Sequence, residues 1–176
     1  MIMKKFILSL LFILPISINA QTGIHEKRAE TTVIGEVTLL SLGRSGDTNG
    51  TASISADDTA SEQGKTHYVL AYQNQENRTK AEHRAVDFFA DRSDLDHLFD
   101  EMIKVLKTGI EVNIPVGENT LYLSRMDLSK YGILMVQVSG RGYFKLGDEQ
   151  LFALFGKSDQ WNKDDWSKKA YKKYMK

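Results

Sequence analysis

The sequence predicts an α+β fold in which a mostly antiparallel, meander-like sheet packs against one main helix. Residues 93–108 carry apolar side chains at steps of three and four, which is the period of a helix with one buried face. Most other apolar stretches alternate with polar residues at a period of two, which is typical of strands. Short turn segments at 117–119 and 139–142 separate neighbouring stretches. One strong helix among several strands connected by short turns indicates α+β architecture.

Residues 1–20 have the pattern of a secretory signal peptide. Lys4 and Lys5 precede an apolar run at 6–16, and a small, polar segment completes the pattern. A membrane-spanning helix needs about 20 apolar residues, so this shorter run favours export followed by cleavage. We therefore expect a periplasmic or extracellular protein that begins with a polar leader at 21–30.

Composition limits the number of domains and the class of partner. The chain has 176 residues and no cysteine, so an exported domain must be held together by its core. This length is enough for one domain, which we place at 31–156. Removing Lys4 and Lys5 from the 23 basic residues leaves 21 against 23 acidic ones. This slightly acidic balance argues against nucleic acid as a partner.

The first predicted strand is followed by a long segment of small residues. Residues 31–42 are rich in β-branched side chains and alternate in polarity, so they are predicted to form a strand. Residues 43–65 are rich in Gly, Ser, Thr and Asp, with only a weak strand pattern at 51–55. We expect a mobile loop at 43–65, because such residues bury little apolar surface.

A hairpin is predicted next. Residues 66–73 and 81–90 alternate in polarity on either side of a polar turn at 74–80. The apolar and aromatic side chains of the two strands that should share a face are Tyr68, Leu70, Tyr72, Val86, Phe88 and Ala90.

The main helix has start and stop signals. Ser93 is a candidate N-cap, and Asp96 stands three residues later, where a capping box places its second partner. Gly109 supplies a left-handed end.

The remaining elements are four strands and a short second helix. Pro115 cannot donate to a strand ladder, so its strand should lie at a sheet edge. Asp148 is a candidate cap for a helix at 148–155, and Gly156 is its stop. The predicted strands are 110–116, 120–125, 133–136 and 143–146.

A basic, aromatic tail occupies residues 157–176. Its lysines and aromatic side chains permit two interpretations. The tail can pack its tryptophans on the sheet while its lysines stay in water, which we favour, or it can rest on a membrane surface. The aromatic residues that carry either contact are Trp161, Trp166, Tyr171 and Tyr174.

Catalytic and metal-binding patterns are incomplete throughout the chain. Gly64-Lys65-Thr66 lacks the first glycine of a phosphate-binding loop, and the histidines lack the spacing of a helical zinc site. We expect no resident metal or cofactor. A small hydrolase is the alternative class, with a site formed by His67, His83 and Asp87 on the hairpin.

Two weaker patterns remain as alternatives. Acidic side chains around the main helix offer the oxygen ligands that calcium prefers. Asp58-Thr59-Ala60 is similar to a short acceptor pattern for bacterial O-glycosylation of exported proteins.

The leading functional hypothesis is a non-enzymatic binding module of the cell envelope or secretome. Strand tyrosines suit contact surfaces, because their rings are apolar and their hydroxyl groups are polar. The partner would be a small ligand or another protein, and the oligomeric state is left open. The candidate contact residues are Tyr68, Tyr72, His67, His83 and Asp87, with further strand tyrosines at Tyr122 and Tyr143.

Overall fold

The fold was determined from a computed structural model that describes residues 31–40, 50–76, 81–126 and 132–166. The predicted signal peptide and leader at 1–30 lie outside the described residues, as do Tyr171 and Tyr174 of the tail.

Within these described residues, the strands form two four-stranded antiparallel sheets, each a simple meander. In the first sheet the strand order is β1-β2-β3-β4, and in the second it is β5-β6-β7-β8. The α+β class, the antiparallel meanders and the main helix are confirmed, but the strands divide into two sheets instead of forming one. The elements in chain order are β1 (Thr31–Thr38), β2 (Thr51–Glu62), β3 (Lys65–Asn74), β4 (Glu82–Ala90), α1 (Arg92–Thr108), β5 (Val112–Val116), β6 (Asn119–Met126), β7 (Ile133–Val138), β8 (Gly142–Leu146) and α2 (Asp148–Leu154).

The prediction of a mobile loop at 43–65 is wrong for its larger part. Strand β2 has 12 residues, and it pairs with both β1 and β3. Ala52, Ile54 and Ala56 point into the core and alternate with partly exposed serines. The alternation of a strand is therefore present, but alanine and serine make its apolar face inconspicuous. Residues 43–49 lie outside the described part of the chain.

The hairpin of β3 and β4 confirms the predicted faces. Tyr68 pairs with Phe88 and Leu70 pairs with Val86, and all four side chains are buried. Strand β5 occupies an edge of the second sheet, as Pro115 predicts.

The N-cap of helix α1 lies two residues before the predicted one. Asp91 is the N-cap, and its side chain accepts a hydrogen bond from the Asp94 backbone N–H at 2.8 Å. The Asp94 carboxylate in turn accepts from the Asp91 N–H at 3.2 Å, so Asp91 and Asp94 form the capping box that the sequence placed at Ser93 and Asp96. Gly109, with φ 73°, ends the helix as predicted.

Helix α2 is short and is held by aromatic packing. Its N-cap is Gly147, whose N–H is bonded to the Gln150 side chain at 2.8 Å, so Asp148 is the first helical residue and not the cap. Phe99 of α1 packs edge-on against Phe152, with 5.1 Å between ring centroids. Trp166 also packs edge-on against Phe152, with 5.9 Å between ring centroids.

Neither helix packs mainly on the sheet that it directly follows in the chain. Helix α1 follows the first sheet but contacts mainly β6 and β7, whereas α2 follows the second sheet but contacts mainly β1. At Gly35 of β1 the approach is so close that a Cβ would lie 2.1 Å from the Ala153 carbonyl oxygen. One continuous core therefore unites both sheets and both helices.

Candidate functional site at the junction of the two sheets

A polar pocket lies where the end of β3 and the start of β4 meet the turn between β7 and β8. Its volume is about 370 Å³. We call it the junction pocket, and its lining consists of Asn74, Glu76, Glu82, Arg84 and the turn 140–142.

Asn74 fixes the floor of the junction pocket. Its side chain is 4% exposed, and its Oδ1 accepts hydrogen bonds from the backbone N–H groups of Tyr143 at 3.1 Å and Glu76 at 3.0 Å. A Cβ on Gly142 would lie 2.0 Å from this oxygen, and Gly142 has φ +80°. Only glycine fits here, because any side chain would collide with Asn74 and strain the backbone.

Three further hydrogen bonds join the two sheets at the pocket. The Tyr72 hydroxyl donates to the Arg141 carbonyl oxygen at 2.9 Å. The Arg141 side chain donates through Nη1 to the Ala85 carbonyl oxygen at 2.6 Å. The Gln75 N–H donates to the Tyr143 carbonyl oxygen at 2.9 Å. The turn that carries Arg141 is thus anchored to the first sheet from both its backbone and its side chain.

Burial raises the pKa of Tyr72 to about 12, although the positive charges of Arg141 and Arg84 act in the opposite direction. Burial has the larger effect because the ionised phenolate would lose its hydration in the core. Tyr72 is therefore a neutral hydrogen-bond donor beneath the pocket at any physiological pH.

The charged lining residues are only partly engaged with one another. Arg84 donates through Nη2 to Glu82 Oε2 at 3.0 Å, and Arg141 uses Nη1 for Ala85. Within the described ranges, the other guanidinium nitrogens of both arginines and the carboxylate of the exposed Glu76 make no hydrogen bond or ion pair. The pocket therefore offers donors and acceptors of both charges to a ligand.

The predicted hydrolase residues do not converge. His67 Nε2 lies 3.4 Å from Asp87 Oδ1, and its ring lies 5.0 Å from that of Phe89. His83, however, pairs with Gln73, which is six residues from His67 along β3. Six residues of strand span about 20 Å, so His83 cannot act on the same substrate atom as His67 and Asp87.

The tyrosines proposed as contact residues divide into two groups. Tyr68 and Tyr72 are 6% and 1% exposed, so their rings belong to the core and are not presented to a partner. The reason is that they occupy the inward face of β3, where Tyr68 stacks on Phe88 and Tyr72 packs against Phe144. Tyr122 is 41% exposed on the outer face of the second sheet. Tyr143 is half-buried beside Lys145, whose ammonium lies 4.8 Å from its ring centroid.

The described part of the tail packs on the protein body. Trp166 is 3% exposed, and the Trp161 indole N–H donates to Asp148 at 3.2 Å. Trp161 follows a short 3-10 turn at Ser158–Gln160, and Trp166 is the last residue of a second one at Lys163–Trp166. Trp166 is therefore a core side chain.

The charged residues of the junction pocket escaped sequence analysis. Glu76 lies in the predicted hairpin turn, Arg84 lies on a predicted strand, and Arg141 lies in a glycine turn about 60 residues further along. Their one signal is the sequence Gly140-Arg141-Gly142, in which two flexible residues hold a charged one at a turn.

Other candidate features are limited. No group of three or more His, Asp or Glu side chains suited to a metal ion occurs among the described residues. Thr59 is exposed, and its hydroxyl donates to Asp57 at 2.6 Å. In the same parts of the chain, no helix is long and apolar enough to cross a membrane.

Comparisons with protein-family models, with curated proteins and with solved structures gave no match to this chain. The fold and the pocket define its class: an α+β protein of two antiparallel meanders with a charged pocket between them.

Proposed function

We propose that this protein is an exported, non-enzymatic binding module that holds a small polar ligand in the junction pocket. The observation that carries the proposal is the convergence of two arginines and two glutamates from both sheets on one pocket. Ligand sites are usually preformed concave regions with a few polar groups that set orientation, and their volumes start at about 300 Å³.

The rigidity of the pocket supports binding. Asn74, Tyr72 and Arg141 hold the two sheets together through hydrogen bonds that involve the lining residues themselves. A pocket whose walls are already fixed loses little conformational entropy when a ligand enters. Asn74 is buried, so its bonds are shielded from competing water.

The lining side chains favour binding over hydrolysis. They comprise asparagine, glutamate and arginine, and the turn contributes two glycines. Among the residues that the structure describes, the lining has no hydroxyl or thiol side chain to act as a nucleophile. A glutamate can also act as one, but Glu82 already accepts from Arg84 at 3.0 Å and from Asn74 at 3.5 Å. The side chains of this lining supply charge recognition instead.

Export rests on the pattern of residues 1–20. Cell fractionation followed by mass spectrometry tests it: the proposal expects a product that begins at Gln21 in the periplasm or medium. A cytosolic product that retains Met1 would contradict export without bearing on the pocket.

Binding is tested by isothermal titration calorimetry of the purified protein. The probes are acetate, phosphate, glucose, ethanolamine and alanyl-alanine, followed by small molecules extracted from the envelope of the producing cell. We expect at least one probe to bind the wild type and to lose affinity in Arg141→Gln. The control is Arg92→Gln, because Arg92 is an exposed arginine at the start of α1, beyond the end of β4 that lies away from the pocket. Equal binding to both variants, or no binding at all, would refute the pocket as the site.

A further inference from the structure

The charges of the junction pocket restrict the class of ligand. Glu76 and Glu82 oppose a simple anion, and Arg84 and Arg141 oppose a simple cation. Like charges within a few ångströms repel by roughly 1 to 4 kcal/mol at surface dielectric values. A ligand that carries one charge of each sign can place its negative group beside the arginines and its positive group beside the glutamates.

The arginines are oriented to receive an anionic group. Each guanidinium is anchored by one nitrogen, Arg84 to Glu82 and Arg141 to the Ala85 carbonyl. A planar guanidinium held at one corner presents its remaining N–H groups as a fixed fork, which matches the two oxygens of a carboxylate or phosphate. Glu82 already neutralises Arg84 in part, so Arg141 contributes most of the free positive charge.

Glu76 supplies the opposite charge. Its backbone N–H is tied to Asn74, which fixes its position at the pocket rim, while its exposed carboxylate makes no ion pair with a described residue. A carboxylate accepts only, so its natural partner is a donor with positive charge, such as an ammonium group.

We propose that the junction pocket binds a small zwitterion, whose anionic group pairs with Arg141 and Arg84 and whose ammonium group pairs with Glu76. This inference rests on the proposed function, since it names the ligand class of the same pocket. A short peptide, a free amino acid and phosphoethanolamine all carry this chemistry, and each fits a pocket of about 370 Å³.

The test is calorimetric titration of the purified protein with alanyl-alanine, alanine and phosphoethanolamine. These probes distinguish a carboxylate from a phosphate as the anionic group. The blocked compounds N-acetyl-alanyl-alanine and alanyl-alaninamide each lack one charge. We expect blocking either end of the dipeptide to weaken binding about tenfold or more, as for the loss of a hydrogen bond to a charged group. If phosphoethanolamine is the tighter ligand, ethanolamine and phosphate replace the blocked dipeptides.

Two variants assign each end of the ligand. Glu76→Gln should weaken dipeptide binding about tenfold and remove the difference between the free and acetylated forms, while sensitivity to amidation remains. Arg141→Gln should remove the difference between the free and amidated forms, while sensitivity to acetylation remains. A purely structural defect would not separate the two ends of the ligand. Glu62→Gln and Arg92→Gln, at exposed positions far from the pocket, are the matched controls and should bind as the wild type does.

The outcomes separate this inference from the proposed function. If a blocked compound binds as tightly as its parent, or if only acetate, phosphate or glucose binds in an Arg141-dependent manner, the zwitterion is refuted and the pocket remains a binding site. If no probe and no envelope extract binds, both proposals are refuted.

Discussion

The two halves of the protein have the same order of elements but stabilise their helices differently. Each half is a four-stranded antiparallel meander followed by a helix. We call residues 31–109 the first unit and residues 112–156 the second unit. Helix α1 of the first unit has 17 residues and polar caps, whereas α2 of the second unit has seven and lacks a side-chain cap at its first position.

This difference shows that tertiary packing can stabilise a short helix that lacks the side-chain N-cap of a longer one. Helices shorter than about 12 residues are marginal by themselves, so α2 depends on its tertiary contacts. Leu151 and Leu154 are fully buried, and Phe152 lies between two aromatic rings. Helix α1 combines such burial with hydrogen bonds at both ends.

The crossed packing of the helices makes the two units dependent on each other. Because α1 covers the second sheet and α2 packs on β1, neither unit by itself buries the inward face of its own sheet. The junction pocket lies on the same boundary. We therefore expect the geometry of the binding site to depend on the contact between the two units. Substitutions at this boundary test that view.

The largest effect is expected at the contact of α2 with β1. Gly35→Ala would place a methyl group 2.1 Å from the Ala153 carbonyl oxygen and 2.5 Å from that of Leu154. Backbone atoms must then move, and we expect the free energy of unfolding to fall by about 3 kcal/mol. Urea denaturation measures this change.

Gly140→Ala is the matched control for Gly35→Ala. Gly140 has φ +65° and open space around its Cβ position, so alanine there adds backbone strain without a collision. We expect a loss of about 1 kcal/mol. Equal losses at Gly35 and Gly140 would contradict the close contact between α2 and β1.

The contact of α1 with the second sheet is tested at Arg125. Arg125 of β6 donates through Nη1 to the carbonyl oxygens of Leu106 at 3.2 Å and Lys107 at 3.1 Å, both in the last turn of α1. Arg125→Met keeps the aliphatic part but removes these bonds, and we expect a loss of about 2 kcal/mol in urea denaturation.

Arg92→Met is the control for Arg125→Met. Arg92 is exposed and lies 3.8 Å from Asp96, a surface pair that contributes little. We expect a change below about 0.5 kcal/mol. If Arg125→Met were equally mild, Arg125 would not hold α1 on the second sheet.

Sequence reasoning succeeded where one periodicity dominates. Leu95, Leu98 and Met102 mark the buried face of α1, and alternation assigns Tyr68 and Tyr72 to one face of β3. It failed at β2, where Ala52 and Ala56 fill the buried positions with small side chains that resemble loop composition. The predicted N-cap of α1 was wrong by two residues, because Asp91 and Ser93 are both good cap residues. Only the structure shows which of the two accepts a hydrogen bond from the first turn of the helix.

The junction pocket could not be derived from the sequence, because it exists only through the docking of the units. Glu82 and Arg84 lie close along one strand, but the turn with Arg141 reaches them only through tertiary packing. Tyr68 and Tyr72 were assigned to binding because strand tyrosines suit both cores and surfaces. The inward face of a strand is defined by what packs on it, and a single sequence does not show this.

The hydrogen bond between Tyr72 and Arg141 tests the boundary at the pocket. Tyr72→Phe leaves the Arg141 carbonyl oxygen without this donor, and we expect a loss of about 1 kcal/mol at neutral pH. Tyr122→Phe, at an exposed tyrosine, is the control and should cost little at neutral pH.

Tyr72 also predicts how stability depends on alkaline pH. Its pKa is raised from 10.0 to about 12 in the folded protein, so the unfolded chain ionises first as pH rises. The folded state is therefore destabilised progressively between pH 10 and 12. In Tyr72→Phe the free energy of unfolding should fall less steeply over this range. Parallel slopes in the wild type and the variant would show that Tyr72 is not the responsible group.

The smallest effect is expected at the N-terminal cap of α1, because Asp91 is solvent-exposed and the helix also has its packing on the second sheet. The Asp94 backbone N–H and the Ser93 hydroxyl donate to Asp91 and hold its pKa below the ordinary value of 3.8. Asp91→Ala removes the cap, and we expect the melting temperature at pH 7 to fall by about 2 °C.

Acid titration separates the charge of Asp91 from its hydrogen bond. A carboxylate with a lowered folded pKa stabilises the protein above pH 3.8, and this contribution is lost as pH falls through the folded pKa. The gap in melting temperature between the wild type and Asp91→Ala should therefore narrow in acid, because the charge of Asp91 is lost. Asp91→Asn keeps an acceptor for the Asp94 N–H but does not titrate, so its gap to Asp91→Ala should persist at low pH. A gap between the wild type and Asp91→Ala that stays constant down to pH 2 would mean that the hydrogen bond of Asp91, and not its charge, stabilises α1.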